Sequence, residues 1–344
     1  MGKAIKSLDI LKFISAISII GLHCFRFNIA TYDYWYICAN RFGVPCFFII
    51  SSFLLFRKKL KWENIILFIK RIAKLYLFWF IATIPLTIYS RFIANHTLSL
   101  EEKIINFIHT TIWSASFSGS WYLMALIQGV LIIFFLKKYL PNSLIIFISL
   151  LIYFIPCIAA SYNFLFTENS YITKFISLFT TIIFRPYHCF PAGLIYISIG
   201  MCIAENYYKI ISNMSYKKGI FLILTSISLW FIENYYIYEA SNGFRADSDA
   251  FFSLIPLSTS LILITLYLNT KISINFNTCL IREMSTIMYF SQFAFIFILS
   301  KLQRINVLPI SNITLYLLVI FSTIILTYIL RSLRTKYNIF KYAF

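Results

Sequence analysis

Charged residues are scarce in this chain of 344 residues. Asp, Glu, Lys and Arg together make up 12% of the sequence, whereas hydrophobic residues make up 60% and the mean hydropathy is +0.81. A soluble domain of this length has too little interior to bury so much apolar surface, but a chain that crosses a bilayer many times leaves it in lipid. The composition therefore excludes an ordinary soluble protein and predicts an all-α integral membrane protein.

Acidic residues are the scarcest of the charged groups. Only 12 Asp and Glu oppose 30 Lys and Arg, and the formal net charge is +18, which in a soluble protein would indicate a nucleic-acid partner. Here the cations cluster between apolar segments, in "RKKLK" at 57–61, "KRIAK" at 70–74 and "RSLRTK" at 331–336. The positive-inside rule gives this distribution to cytoplasmic loops, so the pattern favours contact with anionic lipid over nucleic acid.

Patterns typical of metal sites and disulfide frameworks are lacking. The seven Cys show no C-x-x-C motif and no Cys/His ligand spacing, and most lie within apolar segments. We interpret them as small packing residues and expect no metal site. The first apolar segment lacks a small-residue cleavage site and contains Lys12 and His23, which favours a retained helix over a signal peptide.

Ten apolar segments have about the length that spans a bilayer as a helix, roughly 20 residues. They cover residues 10–29, 36–56, 72–90, 120–136, 143–161, 188–204, 219–238, 251–268, 284–300 and 312–330. With both termini in the cytoplasm, the predicted cytoplasmic segments hold 21 of the 30 Lys and Arg. The sequence thus predicts about ten transmembrane helices with cytoplasmic termini.

The connections between these segments add detail to this topology. The two longest outer connections, 91–119 and 162–187, contain apolar stretches that are too short or broken to span, which favours re-entrant or interfacial helices; twelve crossings are the alternative. The outer loop at 239–250 concentrates acidic residues, and either is simply solvated or contacts a polar acceptor. Since no linker or repeat divides the chain, we predict one membrane domain over residues 1–344.

The first segment carries two ionisable side chains, which are costly in lipid and indicate a functional site by default. His23 lies eleven positions after Lys12, very nearly three helical turns, so both lie on one helix face about 16 Å apart along the axis. Ser15, Ala16 and Ile19 lie between them and leave room for a ligand along the stripe. His23 is suited to accept a proton near neutral pH; a histidine bonded to a backbone carbonyl is the structural alternative.

Several motifs resemble one known family. "LDILKFISAISIIGLH" at 8–23 is similar to the first helix of the membrane acyltransferase-3 family, in which a cation is followed by ten residues and a His. The resemblance continues, in the same order, in "VPCFFIISSFLLFRKK" at 44–59, "KRIAKLY" at 70–76, "SWYLMAL" at 120–126, "GLIYISIGM" at 193–201 and "MSTIMYFSQF" at 284–293. It therefore spans nearly the whole chain and implies the ten-helix layout of that family.

Three positions depart from the family's patterns. Ser52 stands where a Gly is usual, and Lys74 replaces the second Arg of an R-x-x-R motif, which keeps the charge but not the bidentate fork. Gln292 replaces a His and cannot exchange a proton, so it can only hydrogen-bond.

The resemblance implies an acyltransferase, usually an O-acetyltransferase that acts on sugars of bacterial surface polysaccharides. Its donor would be acyl-CoA from the cytoplasm, with no bound cofactor, and its site would lie in the bacterial inner membrane. His23 would be the catalytic base, or carry the acyl group covalently. Lys12, Arg71 and Lys74, with Lys70 as a further candidate, would hold the CoA phosphates; otherwise the 70–74 cations form an ordinary positive-inside cluster.

The remaining site assignments each have a structural alternative. Ser51 and Ser52 are candidates to stabilise the oxyanion, or else are small helix-packing residues. Trp121, Arg185 and His188 are candidates for acceptor binding, or else are residues of the membrane boundary. His96 and His109 receive no role.

Two other kinds of function compete with the enzyme. A carrier or flippase for lipid-linked saccharides would also use membrane cations and a histidine, but no similarity between residues 1–170 and 171–344 indicates paired halves. An outer-leaflet polysaccharide polymerase or ligase would be expected to have one dominant outer loop, which this sequence lacks.

Overall fold

The computed structural model describes residues 5–25, 35, 37–58, 60–94, 97–167, 170–241, 250–304 and 311–344. Within these ranges the chain is helical and contains no β-strand. This confirms the predicted all-α class. Among the residues outside the described part of the chain are His96, and Asp247 and Asp249 of the acidic loop at 239–250.

The helices of the described residues are numbered here in chain order. They are α1 Lys6–Cys24, α2 Gly43–Phe56, α3 Trp62–Ala82, α4 Ile84–Ile88, α5 Leu100–Trp113, α6 Trp121–Leu136, α7 Asn142–Ala159, α8 Tyr171–Ile183, α9 Phe190–Glu205, α10 Tyr207–Asn213, α11 Tyr216–Ala240, α12 Leu254–Lys271, α13 Cys279–Arg304 and α14 Asn312–Lys336. A π-helical turn, Tyr89–Ile93, follows α4, and a 3-10 segment, Asn338–Ala343, follows α14.

Seven helical segments of the described chain are long and apolar enough to cross a membrane, judged by length and composition. They are α1, a segment Ile37–Phe56 that contains α2, and α7, α11, α12, α13 and α14. Three shorter apolar helices are α6, α8 and α9. The count of ten crossings and the cytoplasmic termini stay predictions.

Helix α3 differs from its predicted bounds of 72–90. It begins at Trp62 and ends at Ala82, so Lys70 and Arg71 lie in the middle of the helix and not before it. The helix ends where the Thr83 hydroxyl donates to the Trp79 carbonyl at 2.7 Å, two residues before Pro85. Three cations within its length keep α3 out of the seven apolar segments, although it has 21 residues.

The two long connections each contain a short helix. Helix α5 has 14 residues and α8 has 13, so at 1.5 Å per residue each extends only about 20 Å, less than the roughly 30 Å hydrocarbon core. Ser99 and Glu102 form a capping box at the start of α5, which fixes where that helix begins. The length of these two helices agrees with the expectation that the two connections do not span the bilayer.

Helices α1, α2, α9 and α13 form the centre of the bundle, where α2 packs mainly against α9 and α1 against α13. Glycines permit the close approach of α2 and α9. A Cβ atom at Gly200 would lie 1.9 Å from the Ser52 Oγ, and one at Gly193 would lie 2.8 Å from the Phe48 ring. Small residues at such contacts let membrane helices pack tightly. By contrast, α11 is largely exposed, as expected of a helix that faces lipid.

Candidate active site

A cavity of about 340 Å³ contains His23 and is called the His23 cavity. Its polar lining within the described residues includes Arg41, Arg91, Arg185 and His188. Trp121 lies in the same wall, where its ring is 5.3 Å from that of His188. The structure therefore brings together all three residues proposed for the acceptor and places them in the cavity that contains His23.

The imidazole of His23 lies against the ring of Phe293, with the two ring centres 4.6 Å apart. Helix α1 carries His23 and α13 carries Phe293, so the packing of α1 on α13 fixes this position. Since His23 also lines the cavity, the imidazole is not enclosed by hydrocarbon alone. A proton acceptor at a cavity wall has the placement that general-base chemistry requires.

Arg91 and Arg185 of the His23 cavity lie close enough for their positive charges to repel each other. Arg91 donates to the Ala115 carbonyl at 3.0 Å and lies beyond the predicted span 72–90. Burial lowers the pKa of Arg91, and the nearby positive charge of Arg185 lowers it further. An acceptor that carries negative charge would relieve this repulsion.

A second cavity, of about 610 Å³, contains Lys12 and is called the Lys12 cavity. Arg57 and Lys58, just after α2, and Arg71 of α3 also line it. Lys12 lies within electrostatic range of Asp9 as well as of Arg71. Four cations around one cavity, within the described residues, form a strong site for a ligand with several phosphates.

Lys12 and His23 do not line one continuous groove, in contrast to the expectation from the sequence. Helix α2 covers the stripe between them at Gly43, where a Cβ atom would lie 2.7 Å from Ile19 and 2.8 Å from the Ser15 carbonyl. Ser15 is fully buried for the same reason. The two side chains therefore line separate cavities.

Tyr289 of α13 lies between these cavities and contributes to the lining of both. Its hydroxyl donates to the Gly119 carbonyl at 3.0 Å. Its ring contacts those of Phe47 and Tyr122, with centres 5.7 and 5.6 Å away. An aromatic partition thus separates the Lys12 cavity from the His23 cavity.

The two candidate serines have different surroundings. Ser51 lines the Lys12 cavity and its hydroxyl is 2.8 Å from that of Tyr122. Ser52 is fully buried and donates to the Phe48 carbonyl at 2.9 Å, and it packs against Gly200 away from the lining of both cavities. The helix-packing alternative therefore describes the placement of Ser52, whereas Ser51 faces a cavity.

The predicted partners of Arg71 lie elsewhere. The Lys74 ammonium lies 5.2 Å from the centre of the Tyr342 ring, in a cation–π contact with the segment after α14. Neither Lys74 nor Lys70 is part of the lining of the Lys12 cavity. Of the three cations proposed for the donor, the structure brings together Lys12 and Arg71 but not Lys74.

Gln292, where the family pattern has His, is fully buried on α13. Its side-chain nitrogen donates to the Tyr289 carbonyl at 2.9 Å, one turn earlier in the same helix. It belongs to the lining of neither cavity. Gln292 thus supports the backbone that carries Tyr289, consistent with a hydrogen-bonding role only.

Sequence reasoning missed several lining residues. Arg57 and Lys58 stand in a cluster that was interpreted only as a topology signal, although they are part of the motif at 44–59. Tyr289 lies in the motif at 284–293, of which the sequence pattern marked only Gln292. Arg41 and Arg91 carry no pattern that would have identified them.

Apolar helices around two cation-lined cavities are the architecture of a membrane protein that handles a polar substrate. Residues 5–332 match the model of the acyltransferase-3 family, described as an acyltransferase domain, and the chain belongs to this family. The matched region is therefore an acyltransferase domain of this family. Family membership favours the enzyme over the carrier and over the polymerase or ligase.

A curated relative is known from Enterococcus faecalis, where it is named amino-acid racemase. The two proteins are 21% identical over 345 residues, which cover 97% of this chain and 47% of the relative. The chain thus spans about half the length of this relative, whose name assigns no activity to the present chain. No solved structure matches the chain at a significant level.

Proposed function

We propose that the protein transfers an acyl group, in particular acetyl, from cytoplasmic acyl-CoA to a hydroxyl group of a bacterial surface glycan or its lipid-linked precursor. The reaction takes place in the inner membrane of a bacterium. One observation carries the proposal: a cavity with four cations and a cavity with a histidine meet at a single aromatic side chain, Tyr289.

The Lys12 cavity suits the donor. Coenzyme A carries phosphates at one end and a thioester on a long thin arm at the other. Lys12, Arg57, Lys58 and Arg71 bind the phosphates, because cations form charge-assisted hydrogen bonds to phosphate oxygens. The volume of about 610 Å³ lies within the range of roughly 300–1,000 Å³ that is typical of small-molecule sites.

Ser51 belongs to the donor side of this arrangement. Its hydroxyl lines the Lys12 cavity beside that of Tyr122, so it is placed for a polar group of the pantetheine arm. Ser52 has no part in the site because it bonds to its own helix and packs on Gly200.

The His23 cavity suits the acceptor. An indole such as Trp121 stacks on sugar rings, and Arg185 and His188 supply hydrogen-bond donors next to it. His23 removes the proton of the acceptor hydroxyl as its oxygen attacks the thioester carbonyl. The new C–O bond forms, the C–S bond breaks, and the proton passes to the departing CoA thiolate.

The proposal is tested on cells that carry the wild type, a deletion, His23→Ala or His109→Ala. His109 is the matched control, since its ring bonds to the Ile182 carbonyl and lies outside the lining of both cavities. Mass analysis of purified envelope glycan should show an ester-linked acyl group that is lost in the deletion and in His23→Ala and kept in His109→Ala. Loss of the glycan itself, or an unchanged ester in His23→Ala, would contradict the proposal.

A further inference from the structure

Tyr289 has a position that no other described residue shares. It is the one described residue that lines both the Lys12 cavity and the His23 cavity. Its side chain is only 4% exposed, so the ring occupies the space between the cavities and leaves little of it open. A group that moves from one cavity to the other by the direct route has to pass this ring.

The partition is built from aromatic rings on its donor side. Phe47 and Tyr122 both line the Lys12 cavity and contact the Tyr289 ring edge to face. The Tyr122 hydroxyl donates to the Phe47 carbonyl at 3.2 Å, which ties α6 to α2 at this level. These contacts fix the three rings relative to one another. Of the three, only Tyr289 also lines the His23 cavity.

One face of α13 runs from cavity to cavity. Ser285, Tyr289 and Phe293 follow each other at intervals of four residues and therefore share a helix face. Ser285 lines the Lys12 cavity, Tyr289 lines both, and Phe293 lines the His23 cavity against the imidazole. The path along this face leads to the proposed base.

A hydrogen bond closes the partition. The Tyr289 hydroxyl donates to the carbonyl of Gly119, in the segment before α6 that lines the His23 cavity. Gly119 has a φ of +84°, which glycine adopts without the strain that a side chain would add. This hydrogen bond holds the Tyr289 ring between the two cavities from the side of the His23 cavity.

We propose that Tyr289 sets the length of the acyl group that reaches His23 from the Lys12 cavity, and that it keeps water of the His23 cavity from the thioester until an acceptor is bound. This inference rests on the proposed function. The ring leaves space for a short acyl group and excludes a longer one. Removal of the ring joins the cavities, so that longer acyl groups enter and water replaces the alcohol, which yields the free carboxylate and CoA thiol.

The test compares acetyl-CoA with butyryl-CoA for the wild type, Tyr289→Ala, Tyr289→Leu and Tyr289→Phe. Membrane vesicles from the producing cells receive each labelled acyl-CoA, and the label bound to envelope glycan as alkali-labile ester is counted. The purified protein in lipid nanodiscs is assayed for release of CoA thiol without acceptor. We expect the ratio of butyryl to acetyl transfer, and the release of thiol, to rise about tenfold in the Ala and Leu variants, the scale of discrimination that apolar pockets achieve. Tyr289→Phe keeps the ring and should keep the preference for acetyl.

Tyr196→Ala is the matched control. Tyr196 is equally buried and hydrogen-bonded to Tyr153, but it lines the His23 cavity alone. Its loss enlarges one cavity without joining the two, so the ratio should stay at the wild-type value. An equal rise in this control, or an unchanged ratio in whichever of the Ala and Leu variants accumulates, would overturn the inference. If the wild type esterifies no glycan from either donor, the proposed function itself fails.

Discussion

At the scale of single residues, position on a helix decides which cations line the Lys12 cavity. Arg71 and Lys74 are three residues apart on α3, yet Arg71 lines the Lys12 cavity and Lys74 lies over the Tyr342 ring. The family pattern treats the two as a pair. The structure separates them, because the Lys74 ammonium contacts the segment after α14 instead of the cavity.

This separation predicts different effects for two similar substitutions. Arg71→Ala should raise the KM for acetyl-CoA by about tenfold or more, since a hydrogen bond to a charged group contributes roughly 1.5–3 kcal/mol. Lys74→Ala should leave this KM near the wild-type value. Transfer of labelled acetyl groups to envelope glycan in membrane vesicles, followed at varied acetyl-CoA concentration, measures both constants. A larger effect for Lys74 would mean that the donor lies elsewhere.

Gly119 is a position at which both the space and the backbone conformation require glycine. A Cβ atom there would lie 2.6 Å from the Phe293 ring, which in turn contacts His23, and the backbone has a positive φ. Gly119→Ala should therefore displace Phe293 toward the imidazole and lower the turnover rate more than acetyl-CoA affinity. A variant that loses affinity with unchanged turnover would contradict this coupling.

The sequence predicted part of this site at the residue scale. Lys12, His23, Arg71 and Trp121 were found because motif and spacing mark them, and each lines a cavity. Arg41 and Arg91 could not be found, because only the packing of distant segments brings them to the His23 cavity. Ser52 was overestimated, since its neighbour Gly200 is 148 residues further along the chain.

At the scale of elements, charge was an unreliable marker of helix ends. The predicted third span, 72–90, begins after Lys70 and Arg71, but α3 runs through them from Trp62. Arg71 of this cluster lines the Lys12 cavity, so one of the charges inside the helix lies at a cavity wall. Helix α11, at Tyr216–Ala240, agrees better with its predicted bounds of 219–238.

The contact between α2 and α9 yields a prediction about stability. A Cβ atom at Gly200 would lie 1.9 Å from the Ser52 Oγ and 2.5 Å from the Ile49 carbonyl, which belongs to the backbone. Gly200→Ala should destabilise the protein by about 1–3 kcal/mol, the usual cost of overpacking, and lower its melting temperature in detergent.

Gly219→Ala serves as the control for this change. Its Cβ atom would meet the end of the flexible Ile264 side chain at 2.9 Å, which can move aside. The melting temperature of this variant should fall less than that of Gly200→Ala. The reverse order would show that the α2–α9 contact is looser than described here.

At the scale of the whole molecule, composition alone determined the class. The shortage of charge predicted a helical membrane protein, and the described residues are helical with seven segments suited to a membrane. Composition could not reveal that α2 crosses the stripe between Lys12 and His23 at Gly43 and divides one expected groove into two cavities. That division depends on how helices pack, which no local pattern records.

Two cavities assign donor binding and chemistry to different residues, and this is the central claim of the account. Lys12 and Arg71 line the Lys12 cavity, which we propose for the donor, while His23 lines the other cavity, beyond Tyr289. Loss of the imidazole should therefore remove the base and leave the phosphate contacts intact.

The most direct measurement follows acetyl-CoA binding and acetyl transfer side by side in His23→Ala. The purified variant in nanodiscs should bind acetyl-CoA with the affinity of the wild type by calorimetry, while membrane vesicles that contain it transfer no labelled acetyl group to envelope glycan. Wild-type transfer by His23→Ala, or a loss of acetyl-CoA binding equal to that of Arg71→Ala, would contradict the account.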